Sequence, residues 1–86
     1  MPTNIKITIV HALYGKKGQT VDVTKEAQEA LAGDDLTISP RKLGIDDPAP
    51  GEIKHFAVKA RISIDDAKPY LFVYIADDYE TVDFIP

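Results

Sequence analysis

The chain opens on strict alternation. Ile5, Ile7 and Ile9 take one side of an extended backbone, and Asn4, Lys6 and Thr8 take the other. Period two over this length predicts a half-buried strand. The strand runs on through His11, Ala12 and Leu13 to Tyr14. It stops at Gly15-Lys16-Lys17-Gly18, a polar turn with two glycines. Thr20 to Val23 is short and β-branched, so it reads as extended. The period then changes. Val23, Ala27, Ala30 and Leu31 fall at i, i+4, i+7 and i+8, which is the apolar stripe of one short helix. Thr24 is placed to cap it, Glu26 suits the positive end of its dipole, and Gly33 marks its stop. A helix of about two turns is stable only when its stripe is pinned to a sheet.

Beyond the helix, Leu36-Thr37-Ile38 is a short strand ended by Pro40. Residues 40–52 hold three prolines and two glycines, which predicts a loop or a sheet edge. The strongest strand follows. Phe56, Val58, Ala60, Ile62 and Ile64 alternate with His55, Ala57, Lys59, Arg61 and Ser63. Asp65-Asp66 turns the chain towards Pro69. Tyr70 to Ala76 is apolar on both faces, with Leu71, Val73 and Ile75 on one and Tyr70, Phe72 and Tyr74 on the other. A two-faced apolar strand predicts a covered central strand, one face on a sandwich core and one under the helix. Asp77-Asp78 turns again, and Thr81 to Ile85 is a last short strand. Strands joined by short turns pair antiparallel. The expected fold is therefore mainly β: an antiparallel β-sandwich, immunoglobulin-like or similar, of five to seven strands with one short α-helix.

Length narrows this to one complete module over residues 1–86, since an α/β barrel alone needs about 250 residues. With no cysteine, neither a disulfide framework nor a thiolate zinc site holds it together. Ten Lys and Arg against fourteen Asp and Glu give a net charge of −4, which argues against nucleic acid as a partner. The longest apolar run, Leu71 to Ala76, is far short of the ~20 residues of a spanning helix, so no membrane insertion is expected. The N-terminus lacks a basic, then apolar, leader, and the default location is the cytoplasm.

The acidity is local, and that raises the question of metal. Asp-Asp pairs stand at 34–35, 46–47, 65–66 and 77–78. Adjacent carboxylates in turns can supply the oxygen ligands calcium takes, and Asp77, Asp78, Glu80 and Asp83 form the best candidate group. EF-hand spacing is absent, and the plain reading is that Asp is a favoured turn residue. No cofactor other than calcium is suggested. His11 and His55 both lie in strands without the further ligands a zinc site needs. No Gly-x-Ser-x-Gly elbow exists, Ser39 and Ser63 have no evident base, and Gly15 to Gly18 lacks the Ser or Thr of a phosphate-binding loop. No enzyme is expected.

Binding remains. Tyr70, Phe72 and Tyr74 form an aromatic stripe suited to stacking on sugar rings or docking a protein. Lys59, Arg61 and His55, on the polar face of the preceding strand, are the charged and polar groups placed beside it. The expected role is a non-catalytic binding or interaction module with a protein or carbohydrate ligand. Its alternatives are a lectin-like carbohydrate-binding protein using Tyr70, Tyr74 and the acidic turn, and a self-assembling structural protein. A homodimer or higher oligomer fits any of these, because a small β domain leaves sheet edges to protect.

The order and spacing of several landmarks carry a resemblance. They are Tyr14-Gly15, Val21-Asp22-Val23-Thr24, Leu36-Thr37-Ile38, Asp47-Pro48-Ala49-Pro50-Gly51, Lys54-His55-Phe56-Ala57-Val58 and Ile85-Pro86. From about Ala12 to Pro86 the chain resembles the C-terminal domain of unknown function of the mitochondrial DnaJ-like proteins of subfamily C, member eleven, and its stand-alone bacterial and fungal relatives. The resemblance implies a mainly β module without catalysis of its own. Tyr70-Leu71-Phe72-Val73-Tyr74 and Asp77-Asp78-Tyr79-Glu80 lie outside the shared pattern, which makes them the places to look for a function particular to this chain.

Overall fold

Twelve residues of mostly alternating character, Ile5–Lys16, form strand β1, and the rest of the molecule is arranged around it. The computed structural model describes residues 4–85. Along the chain come β2 (Gln19–Asp22), α1 (Thr24–Ala30), β3 (Asp35–Thr37), α2 (Pro40–Leu43), β4 (His55–Ile64), β5 (Tyr70–Asp77) and β6 (Thr81–Asp83). Four strands make an antiparallel sheet in the order β2-β1-β4-β5, and β3 pairs with β6 in a separate antiparallel ribbon. The core lies between the sheet and a layer made of that ribbon and the two helices. Ile7, Ile9, Ala12 and Tyr14 of β1 and Phe56, Val58, Ala60 and Ile62 of β4 meet Ala27, Leu36, Leu43, Val82 and Phe84 there. The fold is mainly β and sandwich-like, as the alternation predicts. Among the described residues no helix is long and apolar enough to cross a membrane.

Three local features depart from the sequence reading, each for a physical reason. First, the proline-rich stretch begins with a second helix, α2. Ser39 Oγ accepts the Lys42 backbone N–H at 3.1 Å, Pro40 occupies the first turn, and Gly44 closes the helix at φ 70°. Buried Leu43 pins it to the core. Second, Thr24 does not cap α1. Its hydroxyl accepts the Ala12 backbone N–H at 3.0 Å and donates to Asp22 Oδ1 at 2.6 Å, tying the helix start to β1. Third, β1 changes parity. Ile7 and Ile9 face the core, yet so do Ala12 and Tyr14. A bulge between Ile9 and His11 inserts Val10 without a partner and restores the inward face.

The sheet's two edges are treated differently. On one side β2 pairs only with Leu13 to Lys16 of β1. Ahead of it the Gln28 amide of α1 takes over the backbone, accepting Ile9 N–H at 2.7 Å and donating to the Ile7 carbonyl at 3.0 Å. The other edge is β5. The sequence predicts this strand to be central and covered on both faces. It is instead the outermost strand, paired among the described residues with β4 alone, and Leu71, Val73 and Ile75 are exposed. Its apolar character does not come from having layers on both sides.

Candidate functional site

The register of β4 against β5 decides which candidate residues meet. Directly opposed residues share a face. Ile62 opposes Tyr70, Ala60 opposes Phe72 and Val58 opposes Tyr74, so the aromatic stripe shares the face of the buried β4 residues. Arg61 opposes Leu71, Lys59 opposes Val73 and His55 opposes Asp77 on the outer face. The expected ligand set therefore divides into two. Tyr70, Phe72 and Tyr74 lie on one side of the sheet, and Lys59, Arg61 and His55 on the other. The sheet itself lies between the two groups.

The aromatic half is the rim of the core. Phe72 packs on Phe84 with ring centroids 5.3 Å apart, and Tyr74 stacks on Phe72 at 5.8 Å with rings nearly parallel. Phe72 is half-buried, while Tyr70 and Tyr74 keep part of their surface in solvent.

The outer half is an apolar field with a charged border. Leu13, Ala57 and Ile75 form one cross-strand row, and His11, Lys59 and Val73 form the next. Leu71 extends the field beside Arg61. Val73 and Ile75 are 70% and 73% exposed, far more than their chemistry favours, and among the described residues no element lies over them. A shallow depression of about 200 Å³ is lined by His11, Leu13, Ala57, Lys59 and Val73. A second, of about 260 Å³, continues past Leu13 and Ala57 to His55 and Ile75. Both histidines stand at this border beside acids: His11 Nε2 is 3.2 Å from Asp22, and His55 Nδ1 is 2.9 Å from Asp77.

The expected metal group is dispersed. Asp77 ends β5 and Asp78 opens the turn to β6, and their side chains take different partners. Asp77 goes outward to His55. Asp78 goes inward to Lys54 and to the Tyr14 hydroxyl, which donates to it. Glu80 accepts the Asp77 backbone N–H, and Asp83 accepts that of Ile85 at 3.1 Å. Asp83 instead lies near Asp34 and Asp35, whose carboxylate oxygens come within 4.8 Å of one another and of its own. Asp35 pairs with Asp83 across the β3–β6 ribbon. Local desolvation of this exposed carboxylate, then the charges of Asp34 and Asp83, raise the Asp35 pKa above the ordinary carboxylate value. The cluster arises because strands from distant parts of the chain pair, which no sequence spacing announces.

A buried ion cluster stands where Asp78 was expected to bind metal, and sequence reasoning missed it. Lys54 is only 3% exposed. Its ammonium donates to the carbonyls of Glu52 at 2.8 Å and Ala49 at 3.3 Å, and lies 3.2 Å from both Asp47 and Asp78. Burial alone lowers the pKa of this amine. The hydrogen bonds and charges of Asp47 and Asp78 outweigh it, and the net shift is upward. The Tyr14 phenol is pushed far up by burial first, then by its hydrogen bond to Asp78 and that residue's charge. The cluster joins β1, the proline-rich loop and the β5–β6 turn. It is a structural clamp with every buried polar side-chain atom partnered.

These two shifts set an alkaline limit. The unfolded chain gives up the two protons near 10.0 and 10.5, whereas the folded chain holds them to higher pH. Above those values the unfolded state binds fewer protons, so stability falls as pH rises. The stabilisation is fully present below pH ~10. The Tm measured by calorimetry is expected to hold to about pH 9.5 and then to decline steeply. Tyr14→Phe is expected to make the decline shallower while lowering Tm at neutral pH through the lost hydrogen bond. A Tm unchanged up to about pH 12 contradicts the clamp.

Protein-family models, curated proteins and solved structures give no match to this chain.

Proposed function

We propose that the chain is a non-catalytic interaction module that takes an extended, apolar polypeptide segment along β5. The observation that carries this is the contrast between the two sheet edges. The β2 side ends in a strand of four residues, and ahead of it the Gln28 amide takes up the β1 backbone groups. The β5 side is eight residues long and among the described residues pairs only with β4, and its outward residues Leu71, Val73 and Ile75 are exposed. Long apolar edges promote aggregation unless charge, proline or a partner protects them. Strand addition supplies main-chain hydrogen bonds for affinity and side-chain rows for specificity.

A catalytic reading finds no support in the placement of candidate groups. The Ser39 hydroxyl caps α2, and each histidine is paired with an acid on an open face. The carbohydrate reading joins Tyr70 and Tyr74 to the acidic turn, and there Asp77 stands on the opposite face while Asp78 is taken up by Lys54 and Tyr14. The likeness to the DnaJ-associated domain remains a proposal. What supports it is that Tyr14, Asp47, Ala49 and Lys54, four of its landmark residues, take part in the one buried clamp.

Selection of random display peptides against the chain, immobilised sparsely, tests the docking reading. The expected winners alternate apolar residues and lose binding to a Val73→Lys, Ile75→Lys double variant that melts like the parent. Winners indifferent to that variant, or none at all, overturn it.

A further inference from the structure

Resting on that reading, we propose that the segment β5 takes is β5 of a second copy, added antiparallel across a two-fold axis with Val73 facing the partner's Val73. The strand is self-complementary in this one register. Leu71 meets the partner's Ile75, and Ile75 meets the partner's Leu71, on the outer face. Phe72 meets the partner's Tyr74, and Tyr70 meets the partner's Ala76, on the other. Every residue from Tyr70 to Ala76 thus faces another residue of the same run. Shifting the axis to Tyr74 sets Leu71 against the partner's Asp77. Shifting it to Phe72 sets the apolar Ile75 and Ala76 against the partner's Pro69 and Lys68, outside the strand.

Charge selects the direction. Lys68 precedes the strand and Asp77 ends it. Antiparallel pairing in this register sets Pro69 opposite the partner's Asp77 and Lys68 opposite the partner's Asp78, so the basic approach to one strand meets the acidic exit of the other, whereas parallel pairing stacks like charge on like charge at both ends. Closure selects the size. The isologous contact uses the β5 edge of both copies, and the edge left at each end is β2, a strand of only four residues, with Gln28 holding the β1 backbone ahead of it. The product is a dimer with one continuous eight-stranded sheet. Leu13, Ala57, Ile75 and Val73 of one copy then run on into Val73 and Leu71 of the other.

Light scattering coupled to size exclusion is expected to give twice the chain mass of 9.5 kDa. Val73→Lys sets two ammonium groups face to face on the axis, and dissociation is expected to strengthen at least about tenfold. Because Val73 is 70% exposed, its melt then reports the same fold. The absence of cysteine allows a test of register. Val73→Cys is expected to cross-link to itself on mild oxidation, since opposed Cβ atoms stand about 4.5–5.5 Å apart. Leu71→Cys is expected to cross-link well only when mixed with Ile75→Cys. A monomer at the highest soluble concentration, a dimer indifferent to Val73→Lys, or cross-linking in another pattern overturns the proposal. If the chain is monomeric and selected peptides still need β5, only self-pairing falls. If the peptides ignore β5 as well, the docking reading falls with it.

Discussion

The Lys54→Met variant is expected to melt at least about 10 °C below the parent chain. Methionine keeps the length and apolar stem of lysine but not the charge. Two carboxylates are then left facing each other. Asp78 keeps only 12% of its side chain in solvent and Asp47 only 30%, so water does little to replace the ammonium. The carbonyls of Ala49 and Glu52 lose their donor at the same stroke. Removing one member of a buried ion group costs far more than the group contributes net, because the survivors remain desolvated and unpaired. Two further measurements separate this cause from loss of packing. Adding Asp78→Asn to Lys54→Met is expected to recover part of the loss, giving a large coupling energy in a double-mutant cycle. Mild acid is expected to narrow the gap to the parent, since protonation relieves the stranded carboxylates. A Lys54→Met chain that melts with the parent sinks the clamp as a stabilising feature.

What the sequence made legible was local. The alternation of β4, the stripe of α1 and the overall β character all follow from period, and each is present. Strand order is a different kind of information. The run from Tyr70 to Tyr74 carries the pattern of a strand buried on both faces. An edge strand whose outer face awaits a partner carries the same pattern, and only non-local pairing tells them apart. Some misses were avoidable. Ile9 and Ala12 are three apart, so a strand that buries both must contain a bulge. Ser39-Pro40 followed by Gly44 is the start and stop of a one-turn helix, obscured because Pro40 also ends a strand. Lys54 had no such signal. Its burial depends on the proline-rich loop folding back so that Ala49 and Glu52 aim their carbonyls at one point.

Gly15→Ala is expected to cost roughly 3–5 kcal/mol, a large fraction of the 5–15 kcal/mol that typically holds a domain together. Gly15 has φ +143°, a conformation L side chains rarely adopt. A Cβ built there stands 2.2 Å from the Gln19 carbonyl oxygen and 2.8 Å from the Thr20 Cα. Both are backbone atoms of β2, and Gly15 and Thr20 are register partners. No side-chain rotation relieves such a clash. Either β2 separates from β1 or β1 itself moves, and β1 at this point carries Tyr14, whose hydroxyl anchors Asp78 in the clamp. The two outcomes leave different traces. If β2 peels away, amide exchange accelerates from Gln19 to Asp22 while the β4 amides keep their protection. If β1 shifts, protection falls through β4 as well, and the alkaline limit set by Tyr14 and Lys54 moves down in pH. Gly18→Ala is the control. Its φ is +80°, but a Cβ there meets nothing within 4 Å, so it carries only the backbone term of about 1–2 kcal/mol. Urea denaturation of the two variants isolates the close approach as their difference. Equal midpoints would show that β1 and β2 do not meet at Gly15 as closely as 2.2 Å requires.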